Sequence, residues 1–171
     1  MENNPTESSS AADSQVALRR VTPEDEGFLF EVYKSTRLAE RAIVSHWDEA
    51  YWDSFMHMQF NAQRHDYQTR YPQSEHSIII FASQPVGRIW VDRSERGIHL
   101  LDIAVLPEFR NRGIGTTLLQ RLAEECDREG KSLTDYVDKG NERAMRLYER
   151  LGFRIKEEIP THFKMERPPR A

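Results

Sequence analysis

The residues best suited to chemistry cluster between His99 and Phe153. Arg110-Asn111-Arg112-Gly113-Ile114-Gly115 links an apolar run, Ile98–Val105, to a helical pattern. A strand that enters a helix through two glycines leaves backbone N–H groups pointing into the turn, and the helix start adds the positive end of its dipole. Arg110 and Arg112 bring further positive charge. An anion, most naturally a phosphate, suits such a turn; the alternative is a tight turn with two solvated arginines. The spacing is neither the G-x-G-x-x-G of a dinucleotide fold nor the Gly-Lys-Ser/Thr of a P-loop.

Two more candidates flank that turn. Asp102 alternates with Leu100 and Ala104 on one face of the apolar strand, and His99 with Leu101 and Ile103 on the other. A carboxylate in so apolar a strand is either functional or a structural acceptor for nearby donors, and His99 is expected at the hairpin end in solvent. Tyr148 shares a helix face with Ala144, Leu147 and Leu151, a spacing that by itself reads as core. The six histidines include no H-E-x-x-H or other metal-ligand spacing, and there is no cysteine pair, so no metal site is expected. His57 and His65 read as a solvated helix face. No serine sits in G-x-S-x-G, so a hydrolase elbow is absent.

These residues need a scaffold. Met1–Ser14 is polar and aperiodic and reads as a disordered tail. Gln15–Val21 is a first strand, and Thr22-Pro23-Glu24-Asp25 starts a helix with a capping hydroxyl, an early proline and acids in the first turn. Ser45-His46-Trp47-Asp48 offers a second cap, so two helices are expected from Glu24 to about Arg64. His76–Ala82, Val86–Asp92 and Ile98–Val105 form an antiparallel run, with Ser83-Gln84-Pro85 and Arg93–Arg96 as turns. After the glycine turn, Leu118, Leu119, Leu122, Ala123 and Cys126 line one helix face, and Gly130 stops it. Ser132–Asp138 is a strand with weaker alternation, Asn141–Leu151 a helix stopped by Gly152, and Phe153–Ile159 and Thr161–Glu166 a closing pair. The order β-α-α-β-β-β-α-β-α-β-β describes an α/β fold with a mixed sheet and one domain, 15–167, followed by a short tail, 168–171.

Bulk properties agree. A chain of 171 residues suits one sizeable core, and 30% charged against 38% hydrophobic residues reads as soluble and globular. No apolar run approaches a membrane span, and no secretory signal is apparent. The net charge of -4 argues against a nucleic-acid binder. The single cysteine, Cys126, precludes an intrachain disulfide, fits a reducing cytoplasm and reads as a core residue.

Arg110-x-x-Gly113-x-Gly115 after an apolar strand resembles the Gln/Arg-x-x-Gly-x-Gly/Ala signature of the GNAT superfamily of N-acetyltransferases. Asn141-x-x-Ala144-x-x-x-Tyr148-x-x-x-Gly152-Phe153 resembles that family's asparagine–tyrosine–glycine–phenylalanine pattern, in the family's order and spacing. The resemblance covers roughly Val16 to Glu166 and is strongest from Leu100 to Phe153. It implies an acetyl-coenzyme A-dependent N-acetyltransferase that moves the acetyl group directly to an amine, with no metal. The backbone of Arg110, Asn111, Arg112, Gly113, Ile114, Gly115 and Thr116 would hold the coenzyme A pyrophosphate. Ala104 and Val105 would pair with the pantetheine arm, at a bulge that splays their strand from Ser132–Asp138, and a backbone N–H near Val105 would polarise the thioester carbonyl. Asn141 and Ala144 would flank the pantetheine. Tyr148 would protonate the departing thiolate, a task for which a phenol carries a proton at neutral pH.

The family does not settle the general base, and Asp102, His99, Glu31 or water remain candidates. An amine with a pKa of about 10.4 needs one near pH 7. The aromatics around Tyr33 and His46-Trp47 are candidates for a wall of the acceptor site. A small-molecule amine is the expected acceptor. The alternatives are a protein N-terminus or lysine, and a non-catalytic acyl-CoA-binding module. Members of the family are often homodimers, though no stretch of this sequence marks an interface.

Overall fold

The structure, a computed structural model, describes residues 15–171. The expected N-terminal tail, 1–14, lies outside the described residues. Strand β1 (Val16–Arg20) is followed by a 3₁₀ turn, Pro23–Asp25, and helix α1 (Glu26–Ser35). The Asp25 carboxylate accepts from the Thr22 N–H at 2.8 Å, tying the helix entry to its cap. Helix α2 (Leu38–Ile43) has no side-chain cap, which is why no helix signal marks it in the sequence. It makes the element order one helix longer than expected.

Helix α3 (Glu49–Arg70) starts at the expected cap, where Asp48 accepts from the Tyr51 N–H at 2.8 Å. It runs past Arg64 because the sheet holds its last turns. The Tyr67 hydroxyl donates to the Leu101 carbonyl at 2.9 Å, and the Tyr67 ring meets Trp90 edge-on at 5.1 Å.

Strands β2 (Glu75–Phe81), β3 (Gln84–Ser94) and β4 (Gly97–Val105) form the expected antiparallel meander. Ala82 and Ser83 make the first turn with positive φ, 48° and 68°, so Gln84 and Pro85 belong to β3 rather than to the turn. Helix α4 (Ile114–Glu129), strand β5 (Leu133–Asp138), helix α5 (Glu142–Arg150) and strands β6 (Arg154–Glu158) and β7 (His162–Arg167) complete the order. Among the described residues the strands lie as β1-β2-β3-β4-β5-β7-β6, and of these neighbours only β4 and β5 run parallel.

Helices cover both faces of this mixed α/β sheet. On one, α1 and α3 bury Leu29, Tyr33, Trp52, Met56 and Phe60 over Ile78. On the other, α4 buries Leu118, Leu119, Leu122 and Cys126, with Tyr148 of α5, over Ile79, Ile89, Ile98, Leu100 and Leu133. Each large aliphatic side chain so buried contributes about 1.5–3 kcal/mol. Gly113 (φ 78°) and Gly130 (φ 64°) bound α4 in the left-handed conformation that glycine adopts without strain.

Candidate active site

Strands β4 and β5 pair only at Ile98–Leu133 and His99–Thr134. Beyond that point they separate, and the cause lies in β4. Its register against β3 passes from Val91–Leu100 to Trp90–Asp102, leaving Leu101 as an extra, unpaired residue. Such a bulge shifts the side-chain alternation by one, so every residue after it changes face. Ile103 and Val105 accordingly pack with the α4 core. Asp102 does not share the face of Leu100, as strict alternation predicts; it turns to the α1–α3 side. The bulge also sits upstream of Ala104–Val105, where it was expected. The Leu101 carbonyl is the one that Tyr67 holds.

On its far side the end of β4 lies close against β3. A Cβ added to Gly87 would stand 2.1 Å from the Ala104 carbonyl oxygen, so only glycine allows this approach. The opposite edge of β4 opens on a cavity of about 840 Å³. Asp102, Ala104, Val105, Arg110, Asn111, Gly113, Ile114, Gly115, Thr116, Asn141, Ala144 and Tyr148 all line it.

Arg112 is the exception among the sequence candidates. It donates to the Glu108 carbonyl at 3.2 Å and lies over the Phe109 ring, which turns it away from the cavity. Arg110 also braces backbone, donating to the Val105 carbonyl at 2.8 Å and the Ser35 carbonyl at 3.4 Å. The anion-binding capacity of the turn therefore rests on backbone N–H groups and the α4 dipole. Asn111 (φ 64°) and Gly113 fold the turn inward. A Cβ on Gly115 would meet no atom within 4 Å, so the approach to the helix start is open.

At the other end of the cavity, Asn141 accepts from the Ala144 N–H at 3.0 Å and caps α5. The cap fixes the helix that carries Tyr148. That side chain is buried, its ring 4.7 Å from Phe153, and its hydroxyl donates to Oδ2 of Asp135. The other carboxylate oxygen, Oδ1, accepts from the Tyr136 N–H at 2.6 Å. Burial pushes the Asp135 carboxyl up to about 7, against the two hydrogen bonds, and the charge of Asp102 adds to the rise. Burial and then Asp135 push the Tyr148 phenol well above its ordinary value, so it stays protonated at neutral pH. Asp135 lines the cavity and was not among the sequence candidates. Its one signal is an acid between Leu133 and Val137 on the inward-facing period of β5.

Asp102 meets a second partner that sequence reading missed. Arg88 of β3 is 2% exposed, with its Nε 2.6 Å from Asp102 Oδ2 and its Nη2 donating to Gln63 of α3 at 2.9 Å. The guanidinium lies 5.6 Å from the Tyr33 ring centroid. A buried cation so placed needs a partner, and Asp102 supplies it at the wall of the cavity. His99 is half-buried and bonded to Thr134 Oγ1 rather than in solvent, and burial followed by Lys164 holds its imidazole below the ordinary value. Neither His99 nor Glu31, which pairs with Lys34 at 3.0 Å, lines the cavity.

The aromatic wall is also displaced. Tyr33 is buried in the core, Trp47 packs on Tyr51 and Phe55, and the cavity is bounded there by Ser35–Ala39, Gln63 and Arg88 instead. Cys126 is fully buried, and burial pushes its thiol up to about 11, as suits a core residue.

The sequence model of the acetyltransferase (GNAT) family matches residues 41–153. An uncharacterised N-acetyltransferase of Methanocaldococcus jannaschii is 32% identical over 90 residues, 48% of this chain and 40% of that protein. A thialysine N-ε-acetyltransferase of Bos taurus is 43% identical over 58 residues, 33% of this chain and 34% of that one. The chain thus spans less than half the length of these two curated relatives. The crystal structure of the PaiA N-acetyltransferase of Thermoplasma acidophilum, in complex with coenzyme A, has the same fold. Its TM-score is 0.66 at 21% identity, covering 90% of this chain and 98% of that one.

Proposed function

The chain belongs to the GNAT family of acetyltransferases, and from that premise we propose that it moves an acetyl group from acetyl-coenzyme A directly to the primary amine of a small molecule. One observation carries the reading: a single cavity runs from the glycine turn, along the unpaired edge of β4, to Asp102 and Tyr148. The residues fit coenzyme A. A left-handed turn and an open helix start suit a pyrophosphate, and an unpaired strand edge suits an extended amide-bearing arm. In this reading the backbone from Arg110 to Thr116 takes the pyrophosphate, while Ala104 and Val105 take the arm beside Asn141 and Ala144. The thioester supplies the activated acetyl group.

The acceptor must reach it as a neutral amine. Asp102, held in place by Arg88, attracts the ammonium form and accepts its proton directly or through water. Tyr148 donates the proton that the sulfur needs. The thialysine in one relative's name is a small amine and supports that choice of acceptor class. The test is release of free thiol from acetyl-coenzyme A over a panel of small amines, peptides and proteins. Turnover with small amines is the expected result. Turnover confined to peptides or proteins would reassign the acceptor, and tight coenzyme A binding without turnover on any of them would make the chain a binding module.

A further inference from the structure

A hydroxyl carries one proton, and in Tyr148 that proton is engaged by Asp135. While Asp135 is a carboxylate, the phenol O–H is committed to it and cannot also be given to a ligand in the cavity. The carboxyl geometry offers a second arrangement. Oδ1 is occupied by the Tyr136 N–H, so a proton on Asp135 belongs on Oδ2, facing Tyr148. The bond then reverses: Oδ2–H donates to the phenol oxygen, and the phenol O–H is free to turn into the cavity that both side chains line.

We propose that Asp135 is a positioning residue for Tyr148, which can protonate the departing sulfur only while Asp135 carries a proton that it passes to the phenol oxygen. This rests on the reading of Tyr148 as the acid. The step balances. The acceptor nitrogen's lone pair forms the C–N bond, the C–S bond breaks and its electron pair stays on sulfur. The Tyr148 proton moves to sulfur and the Asp135 proton moves to Tyr148. The acceptor nitrogen releases one proton to water, and water returns one to Asp135 after the products leave.

The surroundings of Asp135 favour the protonated form. On α5 it meets Tyr148, and on β4 it feels the like charge of Asp102, itself paired with Arg88 of β3. Tyr67 of α3 lies within electrostatic reach. On β7 its pairing partner is Met165, flanked by Lys164 and Glu166, and the α4 residues of the surrounding core, Leu118, Leu119 and Leu122, are apolar. The carboxyl thus sits near 7, within reach of a pH profile.

The test compares kcat against pH, from 5.5 to 9.5, for the wild type and Asp135→Asn, with an amine that the wild type acetylates. The wild type should lose about tenfold in kcat per pH unit above its alkaline limb. Deprotonation of the amine raises the rate with pH and cannot produce that limb. The variant, with no proton to pass, should have a kcat lower by about 100-fold or more at pH 7 and should show no alkaline limb, with KM for acetyl-coenzyme A within about twofold. Asparagine keeps a donor to the phenol oxygen but has no titrating proton.

A wild type without an alkaline limb, a limb that persists in the variant, or a folded variant whose kcat equals that of the wild type at pH 7 would each overturn the proposal. Should the variant fail to fold, single-turnover rates of the wild type in mixtures of H₂O and D₂O decide instead. Two protons in flight give a curved dependence, which supports the relay, whereas a straight line excludes it. A wild type that turns over no amine at all would refute the proposed function rather than the role of Asp135.

Discussion

Arg88 reaches from β3 to Asp102 on β4 with its Nε 2.6 Å from Oδ2, and the arginine is almost wholly buried while the aspartate keeps a fifth of its side chain exposed. The pair is therefore asymmetric. Asp102→Ala strands a guanidinium away from water and should cost about 3 kcal/mol of stability. Arg88→Met leaves a carboxylate that still touches solvent and should cost less. The Arg88→Met/Asp102→Ala double variant should lie nearer the wild type than the sum of the two losses. A denaturant-unfolding cycle measures this, and additive losses would show that the two charges do not depend on each other.

Tyr148→Phe should fold, since the ring keeps its contact with Phe153. It should lower kcat by about 100-fold or more, the usual scale for losing a general acid. An unchanged kcat at every pH, with a substrate that the wild type acetylates, removes Tyr148 from the chemistry.

Gly115→Ala separates binding from folding. An added Cβ meets no protein atom, and alanine favours the first turn of α4, so stability should hold or rise by about 0.5–1 kcal/mol. The same methyl group stands where a pyrophosphate must approach the helix start, so KM for acetyl-coenzyme A should rise at least about tenfold. Thermal unfolding and steady-state kinetics on one preparation read both. An unaltered KM would move the phosphate site off this turn.

Asp135 also makes stability depend on pH. An ordinary aspartate releases its proton near 3.8, whereas the folded protein holds this one until about 7. Between those values the unfolded chain has lost a proton that the folded chain still binds, so wild-type stability falls as pH rises from about 4 to 7 and levels off above. Asp135→Asn has no such loss. From pH 4 to pH 8 the variant should gain on the wild type by roughly 2–4 kcal/mol. Urea unfolding at pH 4, 6 and 8 tests the slope, and a difference independent of pH would mean that Asp135 ionises normally in the fold.

The parts of the site that are legible in the sequence are those held by local chemistry. The glycine turn at Gly113, the stop at Gly130 and the α4 face of Leu118, Leu119 and Leu122 each follow from residue type and spacing. What escapes is what only packing decides. Leu101 is of the same apolar class as its neighbours, so nothing in its identity marks it as the unpaired residue, and Asp102 is assigned to the wrong face as a result. Asp135 has a visible signal, an acid at an inward position. Its meaning, however, depends on where α5 docks Tyr148, which no local pattern states. Arg88 is likewise an arginine in an apolar strand until Asp102, Gln63 and Tyr33 close around it.

The extra residue at Leu101 sets β4 apart in what kind of genetic change it can absorb. Exchanging Leu101 for another apolar residue leaves the count of residues along the strand intact. Deleting it removes the bulge while leaving Asp102 and Ala104 on the α1–α3 side and Ile103 and Val105 on the α4 side, because Leu100 and Asp102 then simply alternate. A three-nucleotide, in-frame loss at this one codon would thus keep the aspartate on its side of the sheet and take away the irregularity that parts β4 from β5, closing the strand edge on which the cleft depends. Along this strand, length is under tighter constraint than identity.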